Sequence, residues 1–221
     1  GCGQKELLEA IAGLQPTENG SICYVEDDGT REELLGKDPL RIAEMGVALS
    51  FVPEDRLGMG LVGNMDLVDN MMLRSYRKGH SPLVNRKKPE DLADRIVKEL
   101  EVVTPNVHTP VRRLSGGNVQ KVLVGREIAA APKVLMAAYP VRGLDINSSY
   151  LIYNLLNKQK ENGTAVIFVG EDLDVLMALC DRIVVVNSGR ITGVVDGRTA
   201  NKEEIGLLMT KTENGKGSDA K

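Results

Sequence analysis

The sequence has few of the residues that build metal sites and disulfide frameworks. Its 221 residues include three cysteines and two histidines. Cys2, Cys23 and Cys180 form no CxxC pair, which favours reduced thiols in a cytosolic protein. His80 and His108 stand far apart without a Cys/His cluster, so we do not expect a zinc site.

Long apolar runs and a strong charge imbalance are also missing. No run approaches the roughly 20 apolar residues that cross a bilayer, and no secretory signal is present, so any membrane role must be played through partners. The 28 Lys and Arg against 31 Asp and Glu give a net charge of −3, which disfavours nucleic acid as the main partner. The first residue is Gly1 rather than Met, and we expect the chain to be a fragment.

Patterns along the chain predict an α/β core with a helical insertion. The core pattern alternates strands and helices, which is typical of a mostly parallel sheet covered on both faces. Its strands are predicted over residues 21–25, 47–52, 133–138, 165–169, 182–186 and 190–195, and its helices over 39–45, 116–130, 148–162, 173–179 and 201–209. We therefore divide the chain into a core of residues 1–66 and 112–210, a helical subdomain of residues 67–111, and a disordered tail of residues 211–221.

A Leu-Ser-Gly-Gly-Asn pentapeptide at residues 114–118 stands before an amphipathic helix. Ser115 is placed to cap this helix, and Gly116 and Gly117 let a ligand approach the backbone amides. A helix N-terminus carries unsatisfied N–H groups and a partial positive charge, which suits a phosphate. Taken alone, the pattern favours a plain capped helix.

Four further motifs change that interpretation. They are Val-Leu-Met-Ala-Ala-Tyr-Pro-Val-Arg-Gly-Leu-Asp at 134–145, Val-Ile-Phe-Val-Gly-Glu-Asp-Leu at 166–173, Asp-Arg-Ile-Val-Val-Val-Asn-Ser-Gly-Arg-Ile at 181–191, and Val-Pro-Glu-Asp-Arg at 52–56. Residues 113–191 resemble the second half of an ABC ATPase, with signature motif, Walker B strand, D-loop, switch region and closing hairpin in family order. Residues 52–56 resemble the Q-loop variant of sugar- and nucleoside-type importer ATPases, which carry two ABC domains on one polypeptide.

Within that group, the chain most resembles the carboxy-terminal domain. The resemblance implies a P-loop ABC ATPase core with an antiparallel β portion and a helical subdomain. The strand that leads into Walker A would precede Gly1, so the first core strand is expected to be truncated.

The catalytic positions of the family are changed in this sequence. At the Walker A position, Gly3 is followed by Gln4 in place of the phosphate-binding lysine and by Lys5 in place of the hydroxyl that binds Mg²⁺. A helix turns by about 100° per residue, so Lys5 is expected to leave in another direction than the missing lysine. The other changes are Ala138 and Tyr139 for the Walker B Asp and Glu, Glu171 for the switch histidine, and Glu54 for the Q-loop glutamine.

An intact signature beside a changed nucleotide site implies a division of labour. In the family two ABC domains dock head to tail, and each ATP lies between the Walker A of one domain and the signature of the other. The chain alone is therefore expected to be inactive, with no metal site of its own, and Asp145 of the D-loop is expected at the domain interface unless it is only a helix cap. The residues expected to contact ATP, held with Mg²⁺ by a partner domain, are Ser115, Gly116, Gly117, Asn118 and Gln120.

The resemblance also implies partners and a location. It implies a second ABC domain, upstream on the same polypeptide, transmembrane permease subunits and, indirectly, a solute-binding protein, with no nucleic acid. The chain would then lie peripherally on the cytoplasmic face of the membrane. Two alternatives stay open, namely a non-transport ABC ATPase and a regulatory ABC-like module that binds no nucleotide.

Overall fold

The computed structural model of the chain describes residues 2–44, 49–76 and 85–210. Its helices are α1 Gln4–Ile11, α2 Pro39–Glu44, α3 Leu67–Met72, α4 Lys87–Glu99, α5 Gly116–Ala129, α6 Ile146–Glu161, α7 Leu173–Leu179 and α8 Lys202–Thr210. Its strands are β1 Cys23–Val25, β2 Arg31–Glu33, β3 Leu49–Val52, β4 Val134–Ala138, β5 Ala165–Val169, β6 Arg182–Asn187 and β7 Arg190–Asp196. A π-helix, Arg56–Gly60, and a 3-10 helix, Val111–Arg113, complete the set. The predicted tail of residues 211–221 lies outside the described residues.

The central sheet is parallel and has the strand order β3-β4-β5. β4 is an apolar run whose last four residues are buried, as expected of a strand that is covered on both faces. Two antiparallel pairs, β1-β2 and β6-β7, stand beside it. The predicted α/β fold with a parallel core and an antiparallel portion is therefore confirmed. Within the described residues β5 is an edge of the central sheet, and β6 pairs only with β7.

Side chains cap the first turn of several helices, including α5, α6 and α7. Ser115 caps α5, Asp145 caps α6 and Asp172 caps α7, each accepting a hydrogen bond from a backbone N–H two or three residues later. The Asp145 cap explains why α6 begins at Ile146, two residues before the predicted start.

One buried apolar cluster runs through both the sheet and the helical insertion. Val52 and Leu135 contribute from the strands, Met71 and Ile96 from α3 and α4, and Leu123 from α5. α5 lies between the two regions, because it packs against α4 on one side and against β3 and α6 on another. The division into a core and a helical subdomain stays a prediction, since the same cluster fills both.

A buried ionic network holds the C-terminal half of α5. Glu127 is fully buried and accepts hydrogen bonds from Arg126 Nε at 3.0 Å and from Arg74 Nε at 3.1 Å. Arg126 Nη2 also donates to the carbonyl oxygen of Gly60 at 2.6 Å. Buried charges need such partners, because an uncompensated charge away from water is costly. The network therefore ties α5 to the end of the π-helix and to Arg74, the second residue after α3.

Candidate functional site

The signature loop, defined as residues 114–118, is held by two side chains. Ser115 Oγ accepts from the Asn118 backbone N–H at 3.4 Å and from Asn118 Nδ2 at 3.0 Å. Asn118 Oδ1 in turn accepts from Val103 N–H at 3.0 Å, which fixes the amide. A serine hydroxyl has two acceptor positions and one donor. Both acceptor positions of exposed Ser115 are therefore used, and its proton has no acceptor within the described part of the chain.

The first turn of α5 adjoins the first turn of α6. The N–H groups of Gly116 and Gly117 lack helical acceptors, as at any helix start. A Cβ atom on Gly117 would lie 3.3 Å from Ser148 Oγ and 3.9 Å from Asp145 Oδ2, so a larger residue would crowd Ser148 at this approach. Asp145 Oδ1 accepts from Ser148 N–H at 2.9 Å, and this bond lowers the pKa of the Asp145 carboxyl. The predicted D-loop aspartate thus caps α6 directly beside the signature loop.

Gln120 differs from the other predicted signature residues because it is buried. Its side chain is 1% exposed, and neither Oε1 nor Nε2 has a hydrogen-bond partner. Ser115 and Gly116, by contrast, are exposed. The expectation that Gln120 contacts nucleotide stays a prediction, and its position favours a supporting role.

A second cluster joins three of the changed catalytic positions through Arg142, and we call Glu54, Tyr139, Arg142 and Glu171 the Arg142 cluster. Arg142 Nη1 donates to Glu54 Oε1, and Arg142 Nε lies 3.8 Å from Glu171 Oε1. The Arg142 guanidinium carbon stands 5.7 Å from the centre of the Tyr139 ring, within the range of a cation–π contact. One guanidinium therefore lies among all three side chains.

Tyr139 follows the buried end of β4. Ala138 is 1% exposed and has no polar side-chain atom, while Tyr139 has a left-handed backbone with φ of 48° and donates its N–H to Val169 O at 2.9 Å. Burial raises the pKa of the Tyr139 phenol, and the carboxylates of Glu171 and Glu54 raise it further. The phenol therefore stays neutral at physiological pH.

The start of α1 completes this second region. Gln4 Oε1 accepts from the Cys2 N–H at 3.2 Å, which turns the amide back along the chain. Lys5 Nζ lies 3.8 Å from Glu9 Oε1, one helical turn away. Gly3 has a φ of 103°, a conformation that favours glycine. The ammonium group of Lys5 thus lies along α1.

Sequence reasoning missed Arg142 as a member of the site. Arg142 and Glu54 are 88 residues apart, and no local motif marks the arginine. The available signal was the pair of carboxylates at Glu54 and Glu171, which need a cation if they lie close together. Sequence alone did not show that they do.

Relatives of the chain are import ATP-binding proteins. It is 37% identical over 222 residues to the guanosine import ATP-binding protein NupO of Bacillus subtilis, covering 98% of this chain and 42% of that protein. It is 35% identical over 210 residues to the xylose import ATP-binding protein XylG of Moorella thermoacetica, covering 95% and 40%. The ribose import ATP-binding protein RbsA of Bacillus subtilis is 34% identical over 212 residues, covering 95% and 41%.

Solved structures of similar fold are ATP-binding cassettes. The dimeric post-hydrolysis structure of the cassette MJ0796 superposes with a TM-score of 0.74 at 21% identity, over 90% of this chain and 82% of that one. The ADP conformation of MJ1267, an ATP-binding cassette of an ABC transporter, gives 0.68 at 19% identity, over 94% and 80%. The chain has the fold of an ATP-binding cassette. No model of a protein family matches it.

The chain spans about two fifths of the length of the curated relatives that it matches, namely 42%, 40% and 41%. These relatives confirm the resemblance to sugar and nucleoside import ATP-binding proteins, whereas the resemblance to a carboxy-terminal domain stays a prediction. Across the described ranges, no helix combines the length and the apolar character that a membrane span needs.

Proposed function

We propose that this chain is a nucleotide-binding domain of an ABC importer of the sugar or nucleoside class. It donates Ser115, Gly116 and Gly117 to ATP that a second ABC domain holds with Mg²⁺. Its own nucleotide site does not hydrolyse ATP. The proposal depends on a contrast between two regions. Within the residues that the structure describes, the signature loop has hydrogen-bond donors without partners, whereas the carboxylates of the Arg142 cluster already have a cation.

The signature loop fits a phosphate oxygen. The Ser115 hydroxyl accepts twice from Asn118 and is left with one proton to donate. The amides of Gly116 and Gly117 add two donors at the positive end of a 14-residue helix. Because these donors are held in place before a ligand arrives, little ordering cost remains when an anion binds. Their role is to bind and orient the terminal phosphate at the domain interface.

The chain's own site does not fit Mg²⁺-bound ATP. Ala138 offers no metal ligand, and the phenol of Tyr139 stays neutral, so neither residue replaces a Walker B carboxylate. Gln4 carries no charge for the phosphates. Arg142 lies between Glu54 and Glu171, so these carboxylates already have a cation. We therefore assign hydrolysis in the assembled ATPase to the site that the second ABC domain forms with the signature loop of this chain.

An exposed apolar surface supports a permease as partner. It consists of residues on and after the π-helix and at the end of α3, namely Leu57, Met59, Val62, Met65 and Leu73. Large patches of exposed apolar side chains are typical of surfaces that bind another protein or a membrane. A transmembrane subunit at this surface would hold the chain peripherally at the cytoplasmic face of the membrane, with a solute-binding protein acting through the permease.

Nucleotide-dependent pairing tests the proposal. The chain is mixed with an ABC domain whose Walker motifs are intact, and sedimentation equilibrium is recorded with and without a non-hydrolysable ATP analogue. We expect pairing only with the analogue, and Ser115→Arg should abolish it. Equal pairing with and without the analogue would instead favour the alternative of a regulatory ABC-like module that binds no nucleotide. Magnesium-dependent phosphate release by the purified chain alone would contradict an inactive site.

A further inference from the structure

Arg56 is a half-buried cation beside the first turn of α5. It begins the π-helix, and its Nη2 atom donates to the carbonyl oxygen of Arg142. Its Nη1 atom lies 3.2 Å from the position of a Cβ atom on Gly116. Burial lowers the pKa of the Arg56 guanidinium, but arginine starts so high that it stays charged at neutral pH. A full positive charge thus stands next to the signature loop.

This charge has no carboxylate partner among the side chains that the structure describes. The neighbouring Asp55 instead uses its carboxylate to accept from Gly58 N–H at 2.8 Å. A partly buried cation without a counter-ion is costly, and the N-terminus of α5 adds further positive charge beside it. An anion at the first turn of α5 would stabilise both groups.

A negative charge lies on the other side of the same loop. Asp145 Oδ2 would be 3.9 Å from a Cβ atom on Gly117. Although the N-terminus of α6 offsets part of this charge, the carboxylate still opposes an incoming phosphate through Coulomb repulsion. Neutral donors alone must overcome that repulsion, whereas the guanidinium of Arg56 balances it.

The buried amide of Gln120 is an independent sign of a polar ligand at this turn. Gln120 lies one turn after Gly117 on the same face of α5, and helical Cα–Cβ bonds tilt toward the N-terminus. Its side chain therefore leans toward the turn that contains Gly117, with both polar atoms unpaired at 1% exposure. Buried unpaired amides are rare in folded proteins, so a polar group at the first turn would satisfy an existing deficit.

We infer that Arg56 is a phosphate-binding residue of the signature loop. It adds a charged hydrogen bond to the terminal phosphate that Ser115 and the two glycine amides bind. The inference rests on the proposed function, because the phosphate belongs to ATP on the second ABC domain. Arg56 is held for this role by the carbonyl of Arg142, so one guanidinium nitrogen positions the side chain while the other faces Gly116.

Steady-state kinetics of the assembled ATPase test the inference, with ATP as the varied substrate. Arg56→Gln keeps a polar side chain with an N–H donor but removes the charge and shortens the reach, and we expect kcat/KM to fall by about tenfold, the loss of one charge-assisted hydrogen bond. Arg56→Lys restores the charge and should recover most of that loss. Arg95→Gln makes the same charge change at an exposed position of α4 and should leave kcat/KM unchanged.

The outcomes separate this inference from the proposed function. If Arg56→Gln had an unchanged kcat/KM while Ser115→Arg had a lowered one, the role of Arg56 would be overturned and the proposed function would stand. Normal kinetics in both variants would overturn the proposed function. Equal losses in Arg56→Gln and Arg56→Lys would show that loop geometry matters rather than charge, which also overturns the inference. Thermal unfolding of each variant excludes a loss of fold as the cause.

Discussion

The signature loop begins a helix that is anchored at both ends, whereas the Arg142 cluster joins exposed and partly buried side chains from three loops. Asn118 fixes the loop at one end of α5, and Glu127 is buried at the other. In the Arg142 cluster, the side chains of Arg142 and Glu171 are 58% and 65% exposed. Exposed ion pairs contribute about 0–1 kcal/mol, far less than a broken buried pair costs.

The difference shows which part of the molecule depends on fixed geometry. Donors aimed at a ligand act only if they are held in position, and the packing around α5 supplies that restraint. The Arg142 cluster presents no such donors, because its charges satisfy one another. Under the proposed function, this region needs only to remain compatible with the fold.

The largest expected effect is on stability at the far end of α5. Glu127→Ala leaves two arginines without their buried partner, and we expect a loss of about 3–5 kcal/mol in the free energy of unfolding. Arg142→Gln should cost less than about 1 kcal/mol, because its ion pairs are exposed. Urea unfolding of both variants measures the difference, with Glu99→Ala as a control on the exposed surface of α4. Equal losses would mean that the two regions are not built differently.

The next effect concerns turnover of the assembled ATPase. Ser115→Arg fills the space in front of the glycine amides and removes a helix cap typically worth about 1 kcal/mol, which is small enough for the domain to stay folded. ATP turnover should nevertheless fall by at least about tenfold, corresponding to roughly 1.4 kcal/mol of lost transition-state stabilisation. Asn162→Arg places the same side chain at the exposed end of α6 and should not change turnover. Unchanged turnover in Ser115→Arg would show that the signature loop does not contribute to ATP hydrolysis.

Restoring the Walker B carboxylates should have a smaller effect. The double change Ala138→Asp with Tyr139→Glu leaves Gln4 and Glu171 in place, so the site still lacks the lysine and the histidine of the family. We expect ATP turnover of the assembled enzyme to change by less than about twofold, which is under 0.5 kcal/mol. Phosphate release at saturating ATP is the measurement. A sharp rise in turnover would show that the chain's own nucleotide site lacks only the Walker B carboxylates for ATP hydrolysis.

The smallest effect is the pH dependence of the α6 cap. The folded-state pKa of Asp145 is lowered from 3.8 by the Ser148 N–H, so the charged cap stabilises the fold above that value. The stabilisation is lost as pH falls through the lowered pKa. Asp145→Asn keeps a capping oxygen but does not titrate. We expect the melting temperature of the native chain to exceed that of Asp145→Asn near neutral pH, and the gap to close in acid. A gap that is constant with pH would contradict this account.

Local sequence signals predicted the fold because capping and apolar runs act over a few residues. Ser115 marked the start of α5 within one residue, and the apolar run after Lys133 marked β4. The sequence did not predict the π-helix, since Arg56–Gly60 lacks helical periodicity and is held by the Asp55 side chain and by Arg126.

The site was predictable only in part. The signature loop is one continuous motif, so its residues were found together. Arg56 and Arg142 were not found, because the hydrogen bond between them joins positions 86 residues apart. Interactions over such separations depend on how strands pair, and a single sequence carries no direct signal of that pairing.

The pairing of β3 with β4 has a consequence for how the chain folds. Leu49 pairs with Val134, so this contact closes a far longer loop than the pairing of Val134 with Ala165 in β4 and β5. Longer loops cost more entropy to close, and such contacts form late. The segment after β3 carries both Glu54 and Arg56, so it reaches Arg142 only when β3 docks. The two regions are therefore completed in one late step, an order that pulse-labelling hydrogen exchange would record as late protection of β3.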